Sequence, residues 1–174
     1  GYPTPKKSHN FKKKNGQAAN RVDGEWWSVF WGDNLNADCG TGDVLQKEIL
    51  EQNRDDIVRR FGTIDILLNA AGGNQAGATI GPDQNFFDLS TEAFQQVLNL
   101  NLTGTVIPTQ VFLKPMVKAG KGSIINFSSM AAFRPMTRVC GYAAAKAGIS
   151  NFTAYMAHEC AKKFGEGIDR KSVV

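Results

Sequence analysis

Tyr142-Ala143-Ala144-Ala145-Lys146 sets a phenol and an ammonium four residues apart. On a helix such a pair shares one face, one turn apart. A phenol titrates near pH 10 and is a poor base at neutrality. A cation held beside it favours the phenolate. Lowering that titration by about three units takes about 4 kcal/mol of differential stabilisation. One lysine supplies this in a partly desolvated pocket. The chemistry served is proton exchange with an alcohol or carbonyl oxygen. The spacing alone is not specific: Tyr2-Pro3-Thr4-Pro5-Lys6 repeats it, and two prolines forbid a helix there. Context separates the two pairs. Ser129 lies thirteen residues before Tyr142 and can donate a hydrogen bond to the oxygen that the phenol protonates, a contact of the oxyanion-hole class. Asn101 interrupts an apolar helix stripe, which fits either a satisfied buried amide or a functional one.

These four residues need elements to hold them. Order begins near Asp43. Leu45, Ile49, Leu50, Ile57, Val58 and Phe61 recur at helical spacing, and Gly62 is a stop. Ile64 to Leu68 is an apolar run of strand length, continuous enough for a parallel strand covered on both faces. It exits through the small-residue turn Asn69-Ala70-Ala71-Gly72-Gly73. A polar, glycine-rich loop spans Asn74 to Asp88. Ser90 then caps a helix whose stripe is Phe94, Val97, Leu98 and Leu102, and Pro108 and Pro115 bend it or end it in stages. Gly122 leads into a second strand, Ser123 to Phe127, ending at Ser128-Ser129. The last helix runs from about Gly141 to Phe164. Helix, strand, helix, strand, helix with no hairpin signal predicts a parallel sheet and an open α/β fold. Ligands of such sheets sit beyond the carboxyl ends of the strands, where Asn69–Gly73 and Ser128–Ser129 fall.

Four collinear motifs resemble the short-chain dehydrogenase/reductase family: Asn69-Ala70-Ala71-Gly72, Asn101-Leu102-Thr103-Gly104, Ser123 to Ser129, and Tyr142 to Lys146. The resemblance covers about Asp43 to Gly167. It implies a partial Rossmann-like, doubly wound parallel sheet in three αβα layers, without its first and last strands. It implies hydride transfer between NAD or NADP and a carbinol or carbonyl carbon. Tyr142 then matches the proton donor/acceptor, and Lys146 the group that lowers its pKa and binds the nicotinamide ribose. Ser129 matches the carbonyl-orienting serine, and Asn101 the residue holding a water in the proton relay. Asn69, Ala70, Ala71 and Gly72 match the turn bordering the cofactor ribose, although Ala70 stands where asparagine is commoner. Asp43 and Val44 resemble the pair that contacts adenine. The loop after Gly73 and the run Asn101 to Gln110 look like family members acting on sugar acids of the mannonate/fructuronate type. The resemblance also implies a homo-oligomeric parent, with the helices of Asn101 and Tyr142 at the subunit interface.

The family's phosphate-binding Thr-Gly-x-x-x-Gly-x-Gly turn is not found. Gly40-Thr41-Gly42 and Gly165-Glu166-Gly167 begin such a pattern without completing it. Residues 41–168 are therefore expected to be the catalytic part of the domain. Residues 1–40 read as an irregular, non-native basic segment. Residues 169–174, Asp-Arg-Lys-Ser-Val-Val, read as a non-native tail, since a common sequencing adapter encodes the same hexapeptide; this points to a metagenomic origin. An inactive, aggregation-prone two-strand fragment is the physical expectation.

The chain has 174 residues and is 42% hydrophobic, enough for one domain with a core. Lys6, Lys7, Lys12, Lys13, Lys14 and Arg21, against Asp23 and Glu25, carry a surplus equal to the whole net charge of +4. The basic character thus belongs to a tail, and no nucleic-acid reading motif accompanies it. Cys39, Cys140 and Cys160 lack metal spacing and fit reduced thiols in the cytoplasm. His9 and His158 are isolated, and no run is long enough to span a bilayer. The expected partner is a small-molecule substrate, with no nucleic acid, membrane or metal. Two other classes stand beside the enzyme: a non-catalytic remnant that dimerises through its helices, and a nucleic-acid protein driven by the basic tail.

Overall fold

The computed structural model describes residues 42–165 and 167–173. The basic segment, the Tyr2–Lys6 pair, Cys39 and His9 lie outside them. Helix α1 (Lys47–Phe61) buries Leu50 and ends at Gly62, whose φ of 85° suits glycine alone. Strand β1 (Ile66–Asn69) follows. Ser90 then caps α2 (Thr91–Leu98), its hydroxyl accepting from Ala93 N at 3.1 Å.

Instead of breaking at proline, the chain widens into a π turn over Asn99–Thr103 and resumes as α3 (Gly104–Ala119). Both Pro108 and Pro115 lie inside α3. Pro108 cannot donate to the carbonyl of Gly104, four residues back, and the π turn closes at Thr103 just before it. Gly120, in the left-handed conformation, stops α3. Then come β2 (Gly122–Phe127), α4 (Cys140–Phe164) and β3 (Ile168–Val173).

The sequence predicts two strands; the chain forms three, all parallel, in the order β1-β2-β3. The segment set apart as a tail is the edge strand, with Ile168 opposite Gly122 and Val173 opposite Phe127. Its pairing is made by backbone groups, which charged side chains do not prevent at an edge. Ile168 anchors it in the core. Gly167 leads into it because the Gly120 carbonyl occupies the space a Cβ would need.

Leu67, Ile124 and Ile168 face the helices and pack with Leu50, Val111, Phe112 and Met116. The alternate positions Ile66 and Leu68 are 45% and 36% exposed. Among the described residues the helical layer therefore covers one face of the sheet. The fold is a partial Rossmann-like α/β sheet.

Candidate active site

The site forms where β1 and β2 end. Asn101 sits in the π turn and is 0% exposed. Its Nδ2 donates to Gly73 O at 2.7 Å and to Val97 O at 2.8 Å, and its Oδ1 accepts from Gly73 N at 3.0 Å. The amide clamps both backbone groups of Gly73 and fixes the turn after β1. Its backbone carbonyl accepts from Thr105 Oγ1.

Gly72 is the floor between two side chains of the candidate site. A Cβ built there would stand 2.7 Å from Asn101 Oδ1 and 3.4 Å from Lys146 Nζ. Any larger residue would push one of them away.

Lys146 is 6% exposed, and its Nζ donates to the Phe127 carbonyl at 2.8 Å. Two of its three ammonium protons remain. Burial holds its pKa below the ordinary lysine value, because desolvation penalises the charged form. The same Nζ lies 5.5 Å from the Tyr142 ring centroid. Tyr142 is half-buried, and among the described residues its hydroxyl takes no hydrogen bond.

Ser129 caps the short 3-10 turn Met130–Ala132, accepting from Ala131 N at 3.2 Å. It is not hydrogen-bonded to Tyr142. The structure thus brings Tyr142, Lys146, Gly72 and Asn101 into one contiguous group, with Ser129 on the strand end beside it. Asp43 and Val44 are not part of that group. Asp43 Oδ1 accepts from Leu45 N at 2.9 Å, and buried Val44 packs against Gly104. Ala70 is exposed and Ala71 half-buried in the turn.

Beneath the site runs a buried polar ladder that the motifs do not announce. Asn69 Nδ2 donates to Thr109 Oγ1 at 3.0 Å and to Asn126 Oδ1 at 2.8 Å. Asn126 Nδ2 donates to Thr153 Oγ1 at 2.9 Å. The ladder ties α3, β1, β2 and α4 together. Nearby, Ser128 Oγ donates to the Lys146 carbonyl at 3.1 Å and lies 2.6 Å from Ser150 Oγ. One available signal was the period-2 placement of Asn126 and Ser128 in an apolar strand. The other was the polar stripe Lys146, Ser150, Thr153 on one helix.

Comparison with known proteins bears on the family. A family model described as short chain dehydrogenase matches residues 31–165. An uncharacterised oxidoreductase, UxuB of Bacillus subtilis, is 45% identical over 123 residues, covering 66% of this chain and 44% of that protein. A 3-oxoacyl-[acyl-carrier-protein] reductase of Aquifex aeolicus is 34% identical, covering 69% of this chain and 46% of its own length. Among solved structures, a putative D-mannonate oxidoreductase from Haemophilus influenzae with bound NAD superposes with a TM-score of 0.66 at 40% identity. That match covers 75% of this chain and 50% of that one. The chain spans about half the length of the relatives it matches. With its family model, its parallel sheet and its site geometry in agreement, the chain belongs to the short-chain dehydrogenase family.

Proposed function

We propose that this chain carries the catalytic residues of a nicotinamide-dependent oxidoreductase that interconverts a secondary alcohol and a ketone. The carrying observation is a buried Lys146 ammonium whose Nζ lies 5.5 Å from the ring centroid of Tyr142, a phenol that makes no hydrogen bond among the described residues. In a low-dielectric setting a charge acts on its neighbour more strongly than it would in water.

The residues present fit the nicotinamide end of the cofactor. Lys146 has two protons free for ribose hydroxyls, and the side-chain-free floor at Gly72 lets a flat ligand approach. Asn69, Ala70 and Ala71 border the same edge. Asp43 and Val44 are assigned to the adenine end by resemblance. When bound, the nicotinamide supplies the hydride donor or acceptor. The protein's own residues handle the oxygen. Tyr142 gives or takes its proton. Ser129, which accepts from Ala131 N, keeps its own proton to donate to the substrate oxygen. Asn101 holds the turn, and by resemblance it holds the water of the proton relay.

The substrate we favour is a polyhydroxylated acid. The polar loop from Asn74 to Asp88 supports it, as does the likeness to the Haemophilus protein described as a D-mannonate oxidoreductase with NAD.

The test is Tyr142→Phe in the protein as its gene encodes it. Turnover should fall by about 10²- to 10⁴-fold, as for loss of a general acid/base, with cofactor affinity nearly unchanged. Retention of substantial turnover would overturn the assignment.

A further inference from the structure

We propose that Arg138 is a specificity-determining residue whose guanidinium receives the carboxylate of an acidic substrate; this rests on the polyhydroxy-acid reading above.

Two loops flank the mouth of the site. One follows Gly73, the residue clamped by Asn101. The other runs from Ser129 to Tyr142. Ile80 and Arg138 latch them together. Ile80 N donates to Arg138 O at 2.9 Å, and Arg138 Nε donates back to Ile80 O at 2.7 Å. The main chain and the side chain of Arg138 therefore hold the same partner, which fixes the direction of the guanidinium. A surface arginine with one free rotor per bond would lose that orientation.

Arg138 also has a φ of 76°, and it is the only described non-glycine residue with positive φ. Such backbone costs free energy at a residue with a Cβ and concentrates at ligand-binding positions. The Nε edge is engaged, yet the side chain is exposed and, among the described residues, forms no ion pair. Its outer edge, the two Nη groups, presents the planar pair of donors that a carboxylate accepts bidentately. Arg138 stands four positions before Tyr142, so their Cα atoms lie within about 14 Å even if fully extended. With the reacting carbon at Tyr142, an acid substrate of several carbons can reach this edge of the mouth with its far end. A hydroxyl or methyl in place of the carboxylate would leave the guanidinium without its partner.

The experiment compares a six-carbon aldonate with the matching neutral alditol, with saturating NAD or NADP, in the protein as its gene encodes it. The expected wild-type preference is at least tenfold in kcat/KM for the acid. Arg138→Gln should raise KM for the aldonate by about 10- to 100-fold while leaving the alditol within about twofold. Arg138→Lys should fall between the two, since an ammonium cannot form the paired contact. A residue that only latches the loops would change both substrates equally, and that result overturns the proposal. A wild type that turns over both compounds alike instead refutes the acid reading itself. Should the variants not fold, labelling of wild-type Arg138 by a dicarbonyl reagent, read by peptide mass spectrometry, decides. Protection by aldonate but not by alditol is expected; equal labelling overturns the proposal.

Discussion

The two faces of the sheet behave differently. On the helical side, β1 and β2 present Leu67 and Ile124 to the core and Asn69 and Asn126 to a satisfied polar ladder. On the other side Ile66 and Leu68 meet solvent. The apolar run Ile64–Leu68 suits cover on both faces, and the described residues provide one. Three of the proposed catalytic residues hang on the covered side: Asn101 on the turn before α3, Tyr142 and Lys146 on α4. A site of this kind can be complete in its proton-handling groups while the sheet beneath it is half dressed.

The largest contrast expected is in stability. Leu67→Ala should cost about 3 kcal/mol, because its 1% exposed side chain leaves a cavity in the core. Ile66→Ala, one residue away on the bare face, should cost under about 1 kcal/mol. Denaturant unfolding of the chain measures both. Equal costs would show that Ile66 is covered in solution, which would erase the difference between the faces.

A second prediction sharpens the covered face. Asn126→Leu removes the middle of the ladder and strands Asn69 Nδ2 without one acceptor and Thr153 Oγ1 without one donor. The expected loss is about 2 kcal/mol, the usual consequence of unsatisfied buried polar groups. Asn126→Leu combined with Asn69→Leu should recover part of that loss, since removing both partners is less harmful than removing one. A double variant whose cost is the full sum of the two single ones would deny that the ladder acts as a unit.

The sequence made the site more legible than its supports. Tyr142, Lys146 and Asn101 announce themselves because proton transfer needs specific groups at specific spacings. β3 did not, because parallel pairing uses backbone groups and Asp169-Arg170-Lys171 has no strand-like alternation. The π turn was hidden for a related reason. Pro108 signals a break, but where the helix absorbs it depends on packing around Asn101, and a widened turn has no composition of its own. The ladder was hidden because Asn69, Thr109, Asn126 and Thr153 are far apart in the chain and each looks like an isolated polar residue. Ser129 is an intermediate case. Its position at the strand end was readable, but its bond to its own 3-10 turn was not.

Lys146 gives the smallest and most diagnostic effect. It is the one buried charge on the covered face among the described residues, and its pKa is held down by desolvation. The unfolded chain therefore binds more protons than the folded one between the two pKa values, so stability rises with pH there. The burial penalty is fully present below the folded pKa. It is relieved as pH climbs through that value toward the ordinary lysine range. Lys146→Met removes the titration, at the expense of the bond to the Phe127 carbonyl. Plotting the unfolding free energy of the chain minus that of Lys146→Met against pH should give an upward slope between the lowered folded-state pKa and the ordinary lysine pKa. A downward slope would mean that the ammonium is stabilised in the fold, through a partner such as Tyr142 phenolate. In that case the pair would already be ion-paired without cofactor. The upward slope places the lysine in a site that tolerates its charge at a cost to stability, a trade that a position selected for chemistry accepts and a core position does not.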